Sequence, residues 1–201
     1  MGDASPDLTA FILAGGKSTR MGTDKAFVKY GGRTLLARAL DLAHSITPRV
    51  FIVGNREKFA PFVPVVEDIF RDCGPLGGIH AALKTSSTEL NLMLAVDTPF
   101  ISTAFLQYLI SQTQGVPETA VVVPRSGGRR QPLCAIYRRE FADVAEIALR
   151  AGQNRIDRLF DGVQTRVLEQ EELEAAGFSA FLFRNLNTPE ELEAEKQQRR
   201  A

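Results

Sequence analysis

Residues 13–25 read Leu-Ala-Gly-Gly-Lys-Ser-Thr-Arg-Met-Gly-Thr-Asp-Lys and follow an apolar run that begins at Leu8. Three glycines, two lysines and an arginine thus fall in one connection after a buried strand. Glycines let backbone N–H groups approach a polyphosphate without Cβ obstruction, and the cations neutralise charge that grows as a phosphoryl bond breaks. The connection therefore reads as a phosphate cradle, with Arg20 and Lys25 as its catalytic cations and Lys17 as a third cation of less defined role. Asp24 is placed to position Lys25 or the loop. A solvated basic surface turn is the plainer alternative.

Two familiar phosphate loops are excluded by spacing. Gly16-Lys17-Ser18 looks like the end of a P-loop, but the glycine required five positions before the Gly-Lys pair is Phe11, inside the strand. Gly15, Gly16 and Gly22 do not match the dinucleotide fingerprint either.

The remaining punctuation predicts alternating strands and helices. Strands are expected at 8–13, 49–53, 64–66, 90–96, 120–123, 133–137, 164–168 and 181–184. Helices are expected at 35–45 behind an N-cap at Thr34, at 79–84, at 103–113 behind Ser102, at 140–150 and at 155–160, with another beginning at Thr188. The glycine-rich stretch 69–78 reads as a loop, 169–174 as helix or loop, and 125–130 as the basic turn of a hairpin. On the helix at 140–150, Phe141, Val144, Ile147 and Ala148 are expected to face inward. The run 90–96 is apolar after Asn91, which fits a central strand buried on both faces. Such a chain builds a three-layer α/β sandwich with a mostly parallel, Rossmann-like sheet and ligands at the carboxyl ends of its strands. The first loop, Asn55, Asp68 and Asp97 all follow predicted strand ends.

Asp97 stands where a rigid strand stops, with Pro99 preventing its continuation. A fixed hard carboxylate there suits Mg2+, which takes one or two protein oxygens and completes its octahedron with phosphate and water; capping the next helix is the alternative role. No Ser/His/Asp or Cys/His arrangement is evident, and His44 and His80 fall within predicted helices.

At 201 residues with 44% hydrophobic content the chain supports one α/β domain, with 1–7 and 196–201 expected to be flexible. Twenty-four basic residues balance 24 acidic ones, so no bulk field favours nucleic acid or a membrane. Cys73 and Cys134 lack metal-ligand spacing, and with no signal-peptide pattern or transmembrane-length apolar run among these residues a cytoplasmic setting is expected.

The pattern L-A-G-G-x-x-x-R-M-G-x-D-K resembles the signature of the molybdenum cofactor guanylyltransferases, of the nucleotide-diphospho-sugar transferase-like fold. The resemblance continues in order through Asn55, Asp68, Gly74-Pro75-Leu76-Gly77-Gly78, Asp97-Thr98-Pro99, Gln131-Pro132-Leu133 and Asn185-Leu186-Asn187-Thr188-Pro189. It implies transfer of GMP from GTP to molybdenum-molybdopterin, with Mg2+ on Asp97 and release of pyrophosphate. Leu13, Ala14, Gly15, Gly16, Lys25, Asn55, Asp68, Gly78 and Asp97 would bind nucleotide. Arg130, Gln131, Pro132, Asn185 and Asn187 would bind the acceptor. Asp68 can accept from guanine N1–H and N2–H, which adenine does not offer; a solvent-facing carboxylate is its alternative, as a hairpin tip is for the arginines and turn formation for the asparagines. Val53 replaces an Asn that relatives can carry. The resemblance also implies transient contact with molybdenum insertion proteins and recipient molybdoenzymes. Cytidylyl transfer to the same cofactor, transfer to a sugar or polyol phosphate, and a nucleotide-binding carrier without turnover are the competing functions.

Overall fold

A computed structural model describes residues 7–15 and 24–186. Its centre is β1, Leu8–Leu13, whose six residues are apolar except Thr9. Side chains alternate across a strand, so Leu8, Ala10 and Ile12 enter one core and Phe11 the other. After a short hairpin, β2 (Lys29–Tyr30) and β3 (Arg33–Thr34), helix α1 covers Leu35–His44; Thr34 Oγ1 accepts its first free amide, from Ala37, at 3.1 Å. The chain then forms β4 (Val50–Val53), α2 (Arg56–Phe59), β5 (Val65–Val66), α3 (Gly74–Thr85) and β6 (Leu90–Ala95). It continues through α4 (Thr103–Ser111), β7 (Val121–Ser126), β8 (Arg129–Arg130), β9 (Cys134–Arg138) and α5 (Phe141–Arg150). Last come α6 (Ile156–Leu159), β10 (Thr165–Leu168) and α7 (Gln170–Ala175).

The main sheet runs β10-β7-β9-β6-β1-β4-β5, with β8 paired to β7. β9 is antiparallel to both β6 and β7, while the pairs β5–β4, β4–β1, β1–β6 and β7–β10 are parallel. Residues from α1 and α4 pack in the core on one face, and residues from α3 and α5 in the core on the other. This is the expected three-layer sandwich, and the expected hairpin is the β7–β9 pair. Asn91, fully buried in β6, satisfies its amide on the carbonyls of Thr88, Glu89 and Tyr137, so a polar residue sits in a central strand without leaving donors unpaired.

The sheet order also leaves a crevice at one edge of the sheet. From β1 the chain adds β4 on one side and later β6 on the other, and such a reversal leaves a crevice beyond the strands' carboxyl ends. Leu13 and Ala95, the last residues of β1 and β6, are register partners. The glycine loop and Asp97 therefore leave the sheet side by side.

Three expected elements differ. α3 starts at Gly74 rather than 79, with Pro75 in its first turn. Gly77 and Gly78 are buried helical residues, because a Cβ on Gly77 would lie 2.8 Å from the Phe70 carbonyl oxygen and one on Gly78 would lie 3.2 Å from Val53 Cγ1 and 3.3 Å from Leu13 Cδ2. These glycines serve close packing of helix on loop and sheet, not chain flexibility. Residues Ala180–Phe183 form a 3-10 turn instead of a strand, which sets Phe181 against Phe100 and Phe183 against Phe105. On α5, Phe141 and Ala148 are buried as expected, but Ile147 is 72% exposed and Ala142, Ala145 and Leu149 are buried; the inward stripe is rotated toward small residues.

Candidate active site

Lys25 Nζ donates to Asp97 Oδ2 at 2.6 Å across 72 residues of sequence, with the two side chains 21% and 19% exposed. Local structure explains why each group is there. Asp97 lies in the turn that ends β6, where Thr98 Oγ1 donates to Ala95 O at 2.9 Å. The cap of α4 is Ser102, whose hydroxyl accepts from Phe105 N at 3.2 Å, so the Asp97 carboxylate is released from the capping role that was its alternative. Lys25 opens a 3-10 turn, Lys25–Phe27, whose cap is Asp24: its Oδ1 accepts from Ala26 N at 2.9 Å.

Two confluent cavities lie beyond the end of β1, and Asp24, the sequence neighbour of Lys25, reaches the wall of one of them. One, of about 400 Å³, is lined by Leu13, Gly15, Val53, Asp68, Asp72 and the start of α3. The other, of about 430 Å³, is lined by Ala14, Gly15, Asp24, Asn55, Lys58 and Asp68 among others. Gly15 and Asp68 border both, which makes them one cleft. Gly15 has ample room on the protein side, since a Cβ there would come no closer than 3.9 Å to Val53 O; what its missing methyl leaves is space in the cleft. Asp68 hangs over α3, its Oδ1 3.6 Å from where a Cβ on Gly78 would stand. The residue edge is open to solvent, yet partial burial of the carboxyl raises its pKa above the ordinary value. Gly78 is thus placed beneath Asp68. A third cavity, of about 340 Å³ between α1 and α4, is lined by Ala95, Val96, Thr98 and Pro99 on either side of Asp97, but not by Gly15 or Asp68.

Asn55 borders the cleft, but its Oδ1 accepts from Lys58 N at 2.9 Å as the cap of α2. On the other side of Asp97, Ala95 N donates to Leu133 O at 2.8 Å and Leu186 N donates to Asp97 O at 3.0 Å. The segment Gln131-Pro132-Leu133 and the Asn185-Leu186 pair therefore converge on the end of β6. Pro132 O accepts from the buried Tyr137 hydroxyl at 2.9 Å, and Gln131 Nε2 donates to Ser126 O and Arg129 O. Arg130 points elsewhere: it donates to Asp157 O, pairs with Asp161 at 3.1 Å and lies over the Phe160 ring. Its guanidinium braces α6 rather than facing Asp97. Arg125 pairs with Glu169 at 3.5 Å. Gly16, Lys17, Arg20, Asn187 and the helix expected from Thr188 lie outside the described residues. Lys58 and Arg71, which also line the cleft, carry no sequence signal, because neither belongs to a recognisable spacing.

The geometry can hold an anion against Lys25 and a planar group between Leu13–Gly15 and Asp68. It also offers one hard carboxylate to a cation. Among the described residues no group of three or more His, Cys, Asp or Glu side chains is arranged to hold a metal, so an ion at Asp97 would draw its remaining oxygens from phosphate and water. That donor set fits Mg2+.

A doubly wound sheet with a lysine and a lone carboxylate at its switch point suits an α/β protein that handles nucleotides. Comparison with known proteins makes the assignment specific. Residues 10–170 match the MobA-like NTP transferase domain. The molybdenum cofactor guanylyltransferase of Desulfosudis oleivorans is 34% identical over 189 residues, covering 92% of this chain and 93% of its own. The crystal structure of molybdopterin-guanine dinucleotide biosynthesis protein A from Archaeoglobus fulgidus superposes with a TM-score of 0.79 at 25% identity, over 96% of this chain and all of that one. The 4-diphosphocytidyl-2C-methyl-D-erythritolsynthase of Anaerococcus prevotii shares the fold, with a TM-score of 0.73 at 13% identity over 98% of this chain and 97% of its own. The chain belongs to the MobA-like NTP transferase family and is a nucleotidyltransferase.

Proposed function

We propose that this chain, acting as a single nucleotidyltransferase domain, transfers GMP from GTP to molybdenum-molybdopterin. The reading rests on the Lys25–Asp97 pair together with a cleft bordered by Gly15, Asp68 and Asp24, the residue that caps the turn of Lys25. Guanine lies against the Leu13–Gly15 backbone, with N1–H and N2–H donating to the Asp68 carboxylate. Gly78 gives the base room, and Asn55 fixes the cleft wall by capping α2. Lys25, with Gly16 and Arg20 of the glycine loop, holds the triphosphate.

The acceptor's terminal phosphate oxygen attacks the α-phosphorus of GTP; the new P–O bond forms as the bond to pyrophosphate breaks. The second ionisation of a phosphate monoester lies near about pH 6, so the acceptor arrives anionic and no protein base is needed. The chain's task is to hold two anions in line and neutralise charge on the leaving group. Lys25 and Arg20 do this directly. Asp97 would hold Mg2+, which when bound supplies further charge neutralisation on phosphate oxygens. Gln131, Pro132, Asn185 and Asn187 orient the acceptor, with Arg130 bracing the segment behind Gln131.

No helix among the described residues is long and apolar enough to cross a membrane. A cytoplasmic setting, with transient contact to molybdenum insertion proteins and recipient molybdoenzymes, completes the proposal; both cysteines are unpaired, and burial pushes the Cys134 thiol up to about 12.

Pyrophosphate release, measured with each nucleoside triphosphate and molybdenum-molybdopterin, tests this reading. Activity with GTP, lost by two orders of magnitude or more in Asp97→Asn (about 10²-fold or greater), is expected. Turnover with CTP and none with GTP would overturn the base assignment, and equal activity of the variant would overturn the role of Asp97.

A further inference from the structure

Lys58 lies 34 residues from Asp24 in sequence and in a different element, yet its Nζ pairs with Asp24 Oδ2 across the cleft. We propose that Lys58 is a positioning residue: through Asp24 it holds the turn that presents Lys25 to Asp97 and to the triphosphate. The inference rests on the functional reading above and adds to it a residue that no catalytic motif contains.

The linkage is continuous. Asp24 uses one carboxylate oxygen for Lys58 and the other for the Ala26 amide at 2.9 Å. That second bond caps the 3-10 turn whose first residue is Lys25, and Lys25 reaches Asp97 at 2.6 Å. Lys58 itself is anchored on the far side. Its backbone amide donates to the Asn55 cap at 2.9 Å, and the next residue, Phe59, is buried against Gly54, where a Cβ would stand only 3.0 Å from the ring. The Phe59 ring also stacks on Phe27 with centroids 6.0 Å apart. The 25–27 turn is therefore joined to α2 twice, once by apolar packing and once by charge. Glu67 pairs instead with Arg56 at 3.3 Å, while Lys58 pairs with Asp24.

Exposure separates a positioning role from a stabilising one. The Lys58 and Asp24 side chains are 42% and 22% exposed, and ion pairs in such settings contribute little to folding. Geometry at a reacting centre is less forgiving: a displacement of about 1 Å can cost ~10²-fold in rate. Loss of Lys58 should thus appear in kcat and hardly at all in the melting midpoint.

The experiment compares wild type, Lys58→Met, Lys58→Arg, Asp24→Asn and the Lys58→Met/Asp24→Asn double variant in Mg2+-dependent pyrophosphate release from GTP with molybdenum-molybdopterin. Asn at position 24 keeps the cap oxygen and removes the charge. Lys58→Met is expected to lower kcat by about tenfold or more, with KM for GTP changed less than about twofold and a melting midpoint within about 4 °C of wild type. Lys58→Arg should restore most of the rate, and the double variant should be no slower than the slower single variant. Solvent exchange of the Ala26 amide, followed by NMR without substrate, should accelerate in Lys58→Met. Wild-type kcat in Lys58→Met, losses that multiply in the double variant, a raised KM at unchanged kcat, or unaltered Ala26 exchange would each overturn the inference. Failure of the wild-type protein to release pyrophosphate would instead overturn the functional reading, and Ala26 exchange would still decide the linkage.

Discussion

Replacing Gly77 by Ala would normally strengthen a helix, by about 1 kcal/mol in an interior position. Here the added methyl carbon would stand 2.8 Å from the Phe70 carbonyl oxygen, with Cys73 Cβ at 3.4 Å and Asp68 Oδ2 at 3.8 Å. The backbone of residue 70 must recede by roughly half an ångström to regain ordinary contact, and overpacking of this kind costs about 1–3 kcal/mol. The net effect is a loss of roughly 1 kcal/mol, or a midpoint lower by about 2–4 °C for a chain of this size. The larger consequence is local. Residues 68–73 carry Asp68 on the rim of the cleft, so GTP affinity should fall about tenfold while the rest of the fold is intact. Thermal melts and calorimetric titration with GTP read the two effects separately. Gly162→Ala is the control, because nothing lies within 4 Å of its Cβ position, and it should leave both unchanged. A Gly77→Ala protein that is more stable and binds GTP as wild type does would refute the argument that this glycine seats the Asp68 loop.

Other outcomes follow from the same geometry. Gly15→Ala should leave the midpoint within about 2–4 °C, the equivalent of ~1 kcal/mol, since its Cβ would meet only ordinary contacts at 3.9 Å, yet it should weaken nucleotide binding measured by titration. The raised pKa of Asp68 reflects desolvation; between the ordinary and the raised value the folded chain holds a proton that the unfolded chain has released, so the group's contribution to stability falls as pH rises through that window. Asp68→Asn should remove this dependence from melts recorded against pH. GTP binding has the opposite sign, weakening as pH falls through the raised value, because the protonated carboxyl no longer accepts from both guanine N–H groups. Tyr137→Phe removes the 2.9 Å bond to Pro132 O; the midpoint should drop by about 2–6 °C, from ~1–1.5 kcal/mol lost, and KM for the acceptor should rise more than KM for GTP.

Much of this was legible in the residues because the strongest signals are those of burial on both faces. The run at 8–13 reads as a buried strand and the run at 90–96 as a central one, and their pairing brings the loop after Leu13 and Asp97 together. Short-range chemistry was equally readable at Thr34 and Ser102, each of which caps the helix it precedes. Glycine was the ambiguous letter. At 74–78 it looks like loop, and only the nearness of Phe70 O, Val53 and Leu13 reveals that Gly77 and Gly78 are helical positions kept bare for packing. Ile147 misleads for a related reason: the small Ala142 and Ala145 are buried while the large side chain is exposed. Asn55 reads as a ligand contact from its motif, while its oxygen is engaged by Lys58 N. The Lys58–Asp24 pair could not be read at all, since no sequence period relates residues 34 positions apart in different elements.

The central claim, that the tips of β1 and β6 form one site for triphosphate and metal, is tested most directly by a crystal structure of the chain with Mg2+ and a non-hydrolysable GTP analogue. Guanine is expected between Leu13–Gly15 and Asp68, phosphates on Lys25, and the ion on Asp97. Nucleotide bound in the cavity between α1 and α4, or an ion coordinated away from Asp97, would contradict it.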